Sequence, residues 1–272
     1  MKTIFKTKKM DYKSVLLFVF FNLAANEVPT IIISIPKCGT HMLMKYCMLL
    51  TDKNGAGTGA NWLFPPESQL ISHKSEYILI THAVCVEPNS AIFQKLGFKG
   101  VFIYRDPRDQ IVSLARFMQK NTNIWPIGTC SLGDLITRLI TDYSIYESCP
   151  CVPLGRALNN GGIKEFYDLY LPWFNYEFIY VTQFEKLVGP KGGGSRKVQL
   201  LEITNIARHL NYFIDDKMAN FIADNLFGGT GTFVDGQIGT WKKYFTSEQK
   251  KILKKYAGQL LIDLGYEKDF NW

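Results

Sequence analysis

Three short apolar runs along the chain each end at a residue with a charged or ionisable side chain. The first run leads into Lys37, the second ends at His82 and the third ends at Arg105. Such runs, rich in isoleucine, valine and aromatics without polar alternation, are typical of strands buried on both faces of a parallel sheet. Ligands bind beyond the carboxyl ends of these strands, so the three side chains should meet at one crevice. The runs span residues 30–35, 77–81 and 100–104.

The segments between these runs carry helical periodicity, which predicts a single-domain α/β fold with a central, mostly parallel sheet flanked by helices. A fourth strand is predicted at 177–181, and the segments 51–59 and 189–195 are predicted to be loops. The clearest helix start has Asp106 as N-cap before Pro107. The predicted helices span residues 40–50, 89–96, 107–119, 134–146, 164–174, 198–210, 215–225 and 246–264.

Composition agrees with one ordinary globular core. The chain has 272 residues, of which 47% are hydrophobic and 20% are charged. The net charge of +7 suits an anionic ligand, but five lysines lie within the first 13 residues and the remainder is close to balanced. Basic residues elsewhere form no long stripe with interleaved aromatics, which argues against nucleic acid as a partner.

Residues 1–26 have a different character, and the predicted globular domain spans 27–272. Lysines precede the apolar stretch 15–25, which has the shape of a signal peptide and is too short for a membrane span of about 20 apolar residues. An N-terminal helix packed on the sheet, or a chain start at Met10, fits the same letters. Export, membrane contact through this segment and a cytoplasmic location all stay open.

The six cysteines leave the compartment open as well. None belongs to a CxxC pair, and Cys149 and Cys151 have no nearby histidine, so no zinc site is expected. In an exported protein disulfides can form, but the sequence does not assign their pairing.

The strongest single signal is the segment Pro-Lys-Cys-Gly-Thr at 36–40, which predicts a P-loop-like nucleotide-binding loop. A tight turn at Gly39 before a helix aims backbone N–H groups at an oxyanion, and Lys37, Thr40 and His41 add donors. The spacing differs from the Walker pattern because the lysine precedes the glycine. Taken alone, the segment also fits an ordinary strand-to-helix turn.

A second signal follows the third run. Arg105 stands at a strand end and Ser113 two turns into the next helix, so both can reach one phosphate. The alternatives are a salt bridge from Arg105 to Asp106 or Asp109, and a solvent-facing position for Ser113.

Taken together and in order, these motifs resemble the sulfotransferases that use 3′-phosphoadenosine 5′-phosphosulfate (PAPS). The family's phosphosulfate loop is similar to 36–40, its 3′-phosphate motif to the arginine-to-serine stretch 104–114, and its Thr-His pair to 81–82. A Tyr-Glu-Asp-Leu motif of the family corresponds to 184–187, and its Gly-x-x-Gly-x-Trp-Lys segment to 236–242. The resemblance covers residues 30 to about 266.

The resemblance implies transfer of a sulfuryl group from PAPS to a hydroxyl or amine, without a metal. It implies that His82 is the general base and that Lys37 stabilises the leaving group. The residues it assigns to donor binding are Lys37, Cys38, Gly39, Thr40, His41, Arg105, Ser113, Phe184, Gly236 and Trp241.

Three departures from the family pattern concern donor binding. Ile80 replaces a lysine that many relatives carry, and Met42 replaces an aromatic. The family's Arg-Lys-Gly is Val-Asp-Gly here, with Asp235 at a place where a carboxylate repels phosphate. We expect either that the backbone turns Asp235 away or that other donors compensate; the candidates are Thr230, Thr232 and Lys242.

Two other classes fit parts of the pattern. A degenerate relative would bind PAPS, its product 3′-phosphoadenosine 5′-phosphate (PAP) or a partner without catalysis, and a P-loop kinase would share the strand-loop-helix device. The acceptor stays unassigned, because aromatic residues that could line a pocket are also typical core residues. They are Trp62, Phe64, Trp125, Tyr143, Tyr146 and Trp173.

Overall fold

A computed structural model describes residues 28–57, 70, 77–125, 127–142, 161–229 and 235–272. Within these ranges one five-stranded sheet has the order β2-β3-β1-β4-β5, and every pair of neighbours is parallel. The predicted α/β fold with a parallel sheet is therefore confirmed. The strands are β1 (Thr30–Ser34), β2 (Asn54–Gly57), β3 (Tyr77–Thr81), β4 (Lys99–Tyr104) and β5 (Ile179–Gln183).

Helices cover both faces of this sheet. They are α1 (Thr40–Thr51), α2 (Glu87–Lys95), α3 (Pro107–Lys120), α4 (Leu132–Thr141), α5 (Ile163–Asp168), α6 (Phe184–Leu187), α7 (Arg196–His209), α8 (Asp216–Leu226) and α9 (Ser247–Asp263). Three 3₁₀ turns complete the described elements: Leu171–Asn175, Pro190–Gly192 and Thr240–Lys243.

The central strands are apolar on both sides because each side faces a separate core. Ile31 and Ile33 belong to one core, which includes residues of α3, α4 and α9. Ile32 belongs to the other, which includes residues of α1, α7 and α8. All three isoleucines are fully buried. Burial on both faces removes the polar alternation that a half-exposed strand would show.

The predicted loop 51–59 is partly wrong, because β2 lies within it as an edge strand paired with β3. The strand contains no long apolar side chain, so the sequence has no hydrophobic run that would predict it. Gly55 explains part of this composition, because a Cβ at Gly55 would lie 2.9 Å from Ile80 and 3.1 Å from Met44. Close packing therefore selects a small residue where the sequence pattern suggested a loop.

The predicted helix 164–174 is also interrupted. Helix α5 ends at Asp168, and the chain continues as the 3₁₀ turn Leu171–Asn175. Pro172 has no N–H for an α-helical hydrogen bond, which explains the break. The predicted fourth strand lies two residues later, at β5, and α4 begins earlier, at a capping box on Ser131.

Several expectations fall outside the described residues. They concern the segment 1–26, residues Cys149 and Cys151, the aromatics Trp62, Phe64, Tyr143 and Tyr146, and Thr230, Thr232 and Val234. Across the described ranges, no helix has the length and apolar character needed to cross a bilayer. Four cysteines in these ranges are free thiols: Cys38, Cys47, Cys85 and Cys130.

Candidate active site

The loop after β1 makes a tight turn at the carboxyl edge of the sheet. The Cys38 N–H donates to the Ile35 carbonyl at 3.1 Å, and both Lys37 (φ 67°) and Gly39 (φ 107°) have a positive φ. Gly39 is the N-cap of α1, and a Cβ there would lie 2.9 Å from the Phe184 ring. The turn and the close approach of Phe184 both explain the glycine. The loop thus places the amino end of α1 at this edge.

A hydrogen-bonded path connects this loop to His82 at the end of β3. Thr40 Oγ1 lies 2.7 Å from Ser34 Oγ, which lies 3.1 Å from His82 Nδ1. His82 Nδ1 also lies 2.8 Å from the Ser34 carbonyl oxygen. A carbonyl oxygen only accepts, so Nδ1 carries the proton and the ring's lone pair lies on Nε2. Burial lowers the pKa of His82 to about 4, which keeps the imidazole neutral at pH 7.

The Lys37 side chain reaches from the loop after β1 to helix α3. Its Nζ is 3.8 Å from the centroid of the Phe117 ring, a distance typical of a cation–π contact. Burial, with a further contribution from the Arg105 guanidinium, lowers the pKa of Lys37 to about 8. Lys37 is therefore still cationic at pH 7.

Arg105, at the end of β4, is buried with an unusual set of partners. Its Nη2 donates to the Gln237 carbonyl at 2.7 Å, and its guanidinium carbon lies 4.2 Å from the centroid of the Phe184 ring. The Asp109 carboxylate lies 3.6 Å from Nη2, so the salt bridge to Asp109 given as an alternative is present, although without a hydrogen bond. Nε of Arg105 has no acceptor in the described part of the chain, although the side chain is only 6% exposed. A donor without an acceptor at such a place favours an added ligand.

Arg105 and Ser113 line one pocket, together with Asp109, Val112, Arg116, Asp235 and Thr240. The predicted closeness of Arg105 and Ser113 is thus a feature of the structure. Of the two alternatives given for Asp235, the first, a backbone that turns it away, is not what the structure has. The Asp235 carboxylate lies in this pocket, where Oδ2 is 2.6 Å from Nη1 of Arg116.

The segment 235–241, which contributes Asp235 and Thr240 to the pocket, is held by hydrogen bonds from its backbone N–H groups. Asp109 accepts the N–H of Gly239 at 2.7 Å and that of Trp241 at 2.8 Å. Burial raises the pKa of Asp109, against the lowering by Arg105 and the two N–H donors. From the other side, the Gly192 carbonyl accepts the Ile238 N–H at 2.9 Å. The glycine-rich turn near 189–195 thus supports this segment.

The remaining predicted residues lie around these groups. Cys38 is buried with Sγ 3.7 Å from the hydroxyl of Tyr167, and burial raises its pKa to about 12. His41 is exposed on the first turn of α1, and Gly236 follows Asp235 with a positive φ of 61°. The ring of Trp241 packs on the Arg108 guanidinium, whereas the Arg105 guanidinium packs on Phe184. Trp125 and Trp173, named as acceptor-pocket aromatics, are both core residues.

Sequence reasoning missed Ser34, Arg116 and the role of Asp109. Ser34 had a signal, since a serine within a fully buried strand needs a hydrogen-bond partner. Arg116 had none, because its partner lies 119 residues away along the chain. Within the described ranges, no three His, Cys, Asp or Glu side chains are grouped as metal ligands.

Solved structures support the fold. The crystal structure of mouse sulfotransferase SULT7A1 complexed with PAP matches with a TM-score of 0.63 at 17% identity, over 88% of this chain and 90% of that one. Retinol dehydratase in complex with androsterone and inactive cofactor PAP matches with a TM-score of 0.59 at 14% identity, over 90% and 84%. A second retinol dehydratase structure, with retinol and PAP, gives the same values.

A search of curated protein sequences returned no match. The sulfotransferase domain family, in contrast, matches residues 28–265, which include every site residue described above. The chain therefore belongs to the sulfotransferase domain family.

Proposed function

We propose that the protein transfers a sulfuryl group from PAPS to a hydroxyl or amine of an acceptor, with His82 as general base and Lys37 stabilising the leaving oxygen. The observation that carries this proposal is the path from Thr40 through Ser34 to His82, which joins the loop to a neutral imidazole. Family membership supports the reaction, and the PAP in the similar structures supports the donor.

The side chains at the pocket fit a phosphate group. Arg105 offers a buried Nε without an acceptor in the described residues, and Ser113 adds a hydroxyl donor in the same pocket. Guanidinium and hydroxyl groups are typical phosphate ligands. In this proposal Arg105 and Ser113 bind the 3′-phosphate, and the loop N–H groups with Lys37 bind the 5′-phosphosulfate.

PAPS, when bound, supplies a sulfuryl group whose S–O bond to the 5′-phosphate breaks during transfer. His82 accepts the acceptor's proton at Nε2, because the Ser34 carbonyl holds the proton on Nδ1. Its lowered pKa of about 4 keeps it neutral, although a weaker base, over the physiological range. A positioned general base typically contributes about 10² to 10⁴ in rate.

Lys37 has the charge that the leaving group needs. The bridging oxygen gains negative charge as the S–O bond breaks, and an ammonium below its pKa of about 8 stabilises it. Partial burial strengthens this attraction, because water screens it less. Ile80 stands where many relatives have a second lysine, so Lys37 carries more of this role here.

The test is transfer of labelled sulfate from PAPS to a panel of phenols, alcohols, amines and sugars. The wild-type protein should label at least one class, and His82→Asn should lose transfer by about 10² or more while PAP binding stays within threefold. Asparagine is the matched variant because its amide N–H can still donate to the Ser34 carbonyl. Full activity in His82→Asn would remove His82 from the mechanism.

The same panel separates the alternative functions. Tight PAP binding without labelling of any acceptor would favour a binding protein. Magnesium-dependent ATP turnover with no affinity for PAP would favour a kinase.

A further inference from the structure

The ion pair of Arg116 and Asp235 occupies the pocket that the proposed function assigns to the 3′-phosphate. Arg116 lies on α3 three residues after Ser113, so the two side chains share one face of the helix. Its Nη1 lies 2.6 Å from Asp235 Oδ2, and both residues line the pocket with Arg105. The Asp235 carboxylate is therefore already paired with the Arg116 guanidinium, next to the proposed position of the 3′-phosphate.

Charge counting shows why this matters. The pocket holds two arginines, Arg105 and Arg116, and two aspartates, Asp109 and Asp235, so its formal charge is zero. A phosphate monoester carries a charge of roughly −1.5 to −2 at pH 7. A neutral pocket attracts such a group poorly, and a carboxylate within it repels the group.

The two aspartates differ in how firmly they are held. Asp109 is fully buried and accepts the backbone N–H groups of Gly239 and Trp241. The Asp235 side chain is 40% exposed and that of Arg116 is 25% exposed. A partly exposed ion pair contributes little to stability, so this pair can break at small cost while the Asp109 contacts persist.

Resting on the proposed function, we propose that Arg116 is a third ligand of the donor's 3′-phosphate. In the free protein Asp235 holds this guanidinium in place, and on donor binding the phosphate replaces the carboxylate. Guanidinium donates to carboxylate and phosphate oxygens alike, so a phosphate oxygen can take the place of Asp235 Oδ2 at Nη1 of Arg116. The exchange raises the charge of the remaining ligand set by one and relieves the repulsion expected from Asp235.

The experiment compares two nucleotides that differ only in the 3′-phosphate, PAP and 5′-AMP, by isothermal titration calorimetry. The wild-type protein should bind PAP more tightly than 5′-AMP. Arg116→Gln should weaken PAP binding about 10- to 100-fold and leave 5′-AMP unchanged. Asp235→Asn should tighten PAP binding about fivefold or more, again without an effect on 5′-AMP.

Controls separate this exchange from a general charge effect. Arg196 and Asp224 form another partly exposed pair at 2.9 Å on helices α7 and α8. Arg196→Gln and Asp224→Asn make the same charge changes and should alter neither affinity. If Arg116→Gln does not fold by circular dichroism, Arg116→Lys replaces it and should weaken PAP binding about tenfold, since ammonium lacks the bidentate fork.

The possible failures are distinguishable. Equal effects of Arg116→Gln on PAP and 5′-AMP, no effect on either, or weaker PAP binding in Asp235→Asn would each overturn the exchange while leaving the proposed function intact. Equal wild-type affinity for PAP and 5′-AMP would overturn both the exchange and the 3′-phosphate assignment.

Discussion

Arg105 and Arg108 are three residues apart and equally buried, yet their surroundings differ. Arg108 donates Nε and Nη2 to the Asp106 carboxylate, its Nη1 contacts Glu267, and its guanidinium carbon lies 4.2 Å from the Trp241 ring. Among the described residues, the Arg105 guanidinium makes one hydrogen bond, to the Gln237 carbonyl, and its buried Nε has no acceptor.

This difference indicates that Arg108 stabilises the fold, whereas Arg105 has the donor that a ligand would need. The Arg108 cluster, formed by Arg108, Asp106, Glu267, Trp241 and Trp272, ties the start of α3 to the C-terminus. Its one guanidinium is paired with two carboxylates of the protein itself. Arg105 lines a pocket and has a buried Nε without an acceptor among the described residues, which is favourable only when an acceptor is supplied. Burial alone would not distinguish the two side chains.

The largest expected effects come from matched substitutions at these two positions. Arg105→Gln should weaken PAP binding about 100-fold or more, with a smaller loss of unfolding free energy than Arg108→Gln, because its ion pair with Asp109 lacks a hydrogen bond and Asp109 keeps two backbone N–H donors. Arg108→Gln should lower the unfolding free energy by about 3–5 kcal/mol, because it leaves the buried Asp106 carboxylate without its cation. Calorimetry and urea unfolding measure the two quantities. Exchanged outcomes would reverse our assignment of the two arginines.

Lys37 extends the comparison, because it loses its charge within the pH range of a binding experiment, whereas an arginine stays charged. Its pKa of about 8 in the free protein is lowered by burial and Arg105. The ammonium is present below this pKa and lost above it. PAP affinity should be nearly constant up to about pH 7, begin to fall near pH 8, and above it drop by up to tenfold per pH unit until the higher pKa of the complex is reached.

The matched variant for this titration is Lys37→Arg. Its guanidinium keeps the charge at every pH used, so PAP affinity should stay constant to pH 9.5. A wild-type profile that is flat to the same pH would show that Lys37 does not contact the nucleotide.

Gly39 tests the loop after β1, which approaches the same Phe184 ring that Arg105 contacts. Gly39→Ala should lower the unfolding free energy by about 1–2 kcal/mol, because alanine is strained at this positive φ, and should weaken PAP binding about tenfold as the new Cβ displaces Phe184. Gly97→Ala is the control, since Gly97 has φ 71° with nothing within 4 Å of an added Cβ. It should lose stability without losing affinity, and parallel losses of affinity would contradict a local role for the loop.

The smallest effect is expected at Ser34. Ser34→Ala removes the hydroxyl contacts with Thr40 and His82 but keeps the carbonyl that accepts from Nδ1. Sulfate transfer should fall about three- to tenfold with PAP affinity unchanged. Ser90→Ala, which removes a hydroxyl bonded to the Glu87 carbonyl in α2, should change neither. A loss as large as that of His82→Asn would mean that the hydroxyl, not the carbonyl, orients the imidazole.

Much of the sheet was predictable, because a strand buried on both faces appears in the sequence as a short run of apolar residues. The runs that became β1, β3 and β4 contain almost no polar residue, and the start of α3 carries its cap at Asp106. Strand β2 escaped prediction because Gly55 is chosen by the close approach of Ile80 and Met44, which the sequence does not show.

The site divides in the same way. By itself, the sequence determined the tight strand-to-helix loop at 36–40, the histidine and arginine that follow the strands, and the family, because these are short motifs in a recognisable order. Only the tertiary structure decided that Arg108 is neutralised while Arg105 keeps a donor, and that Asp235 lies against Arg116. The physical reason is that pairing depends on contacts between residues more than 100 positions apart, as for Arg116 with Asp235 and Arg105 with Gln237.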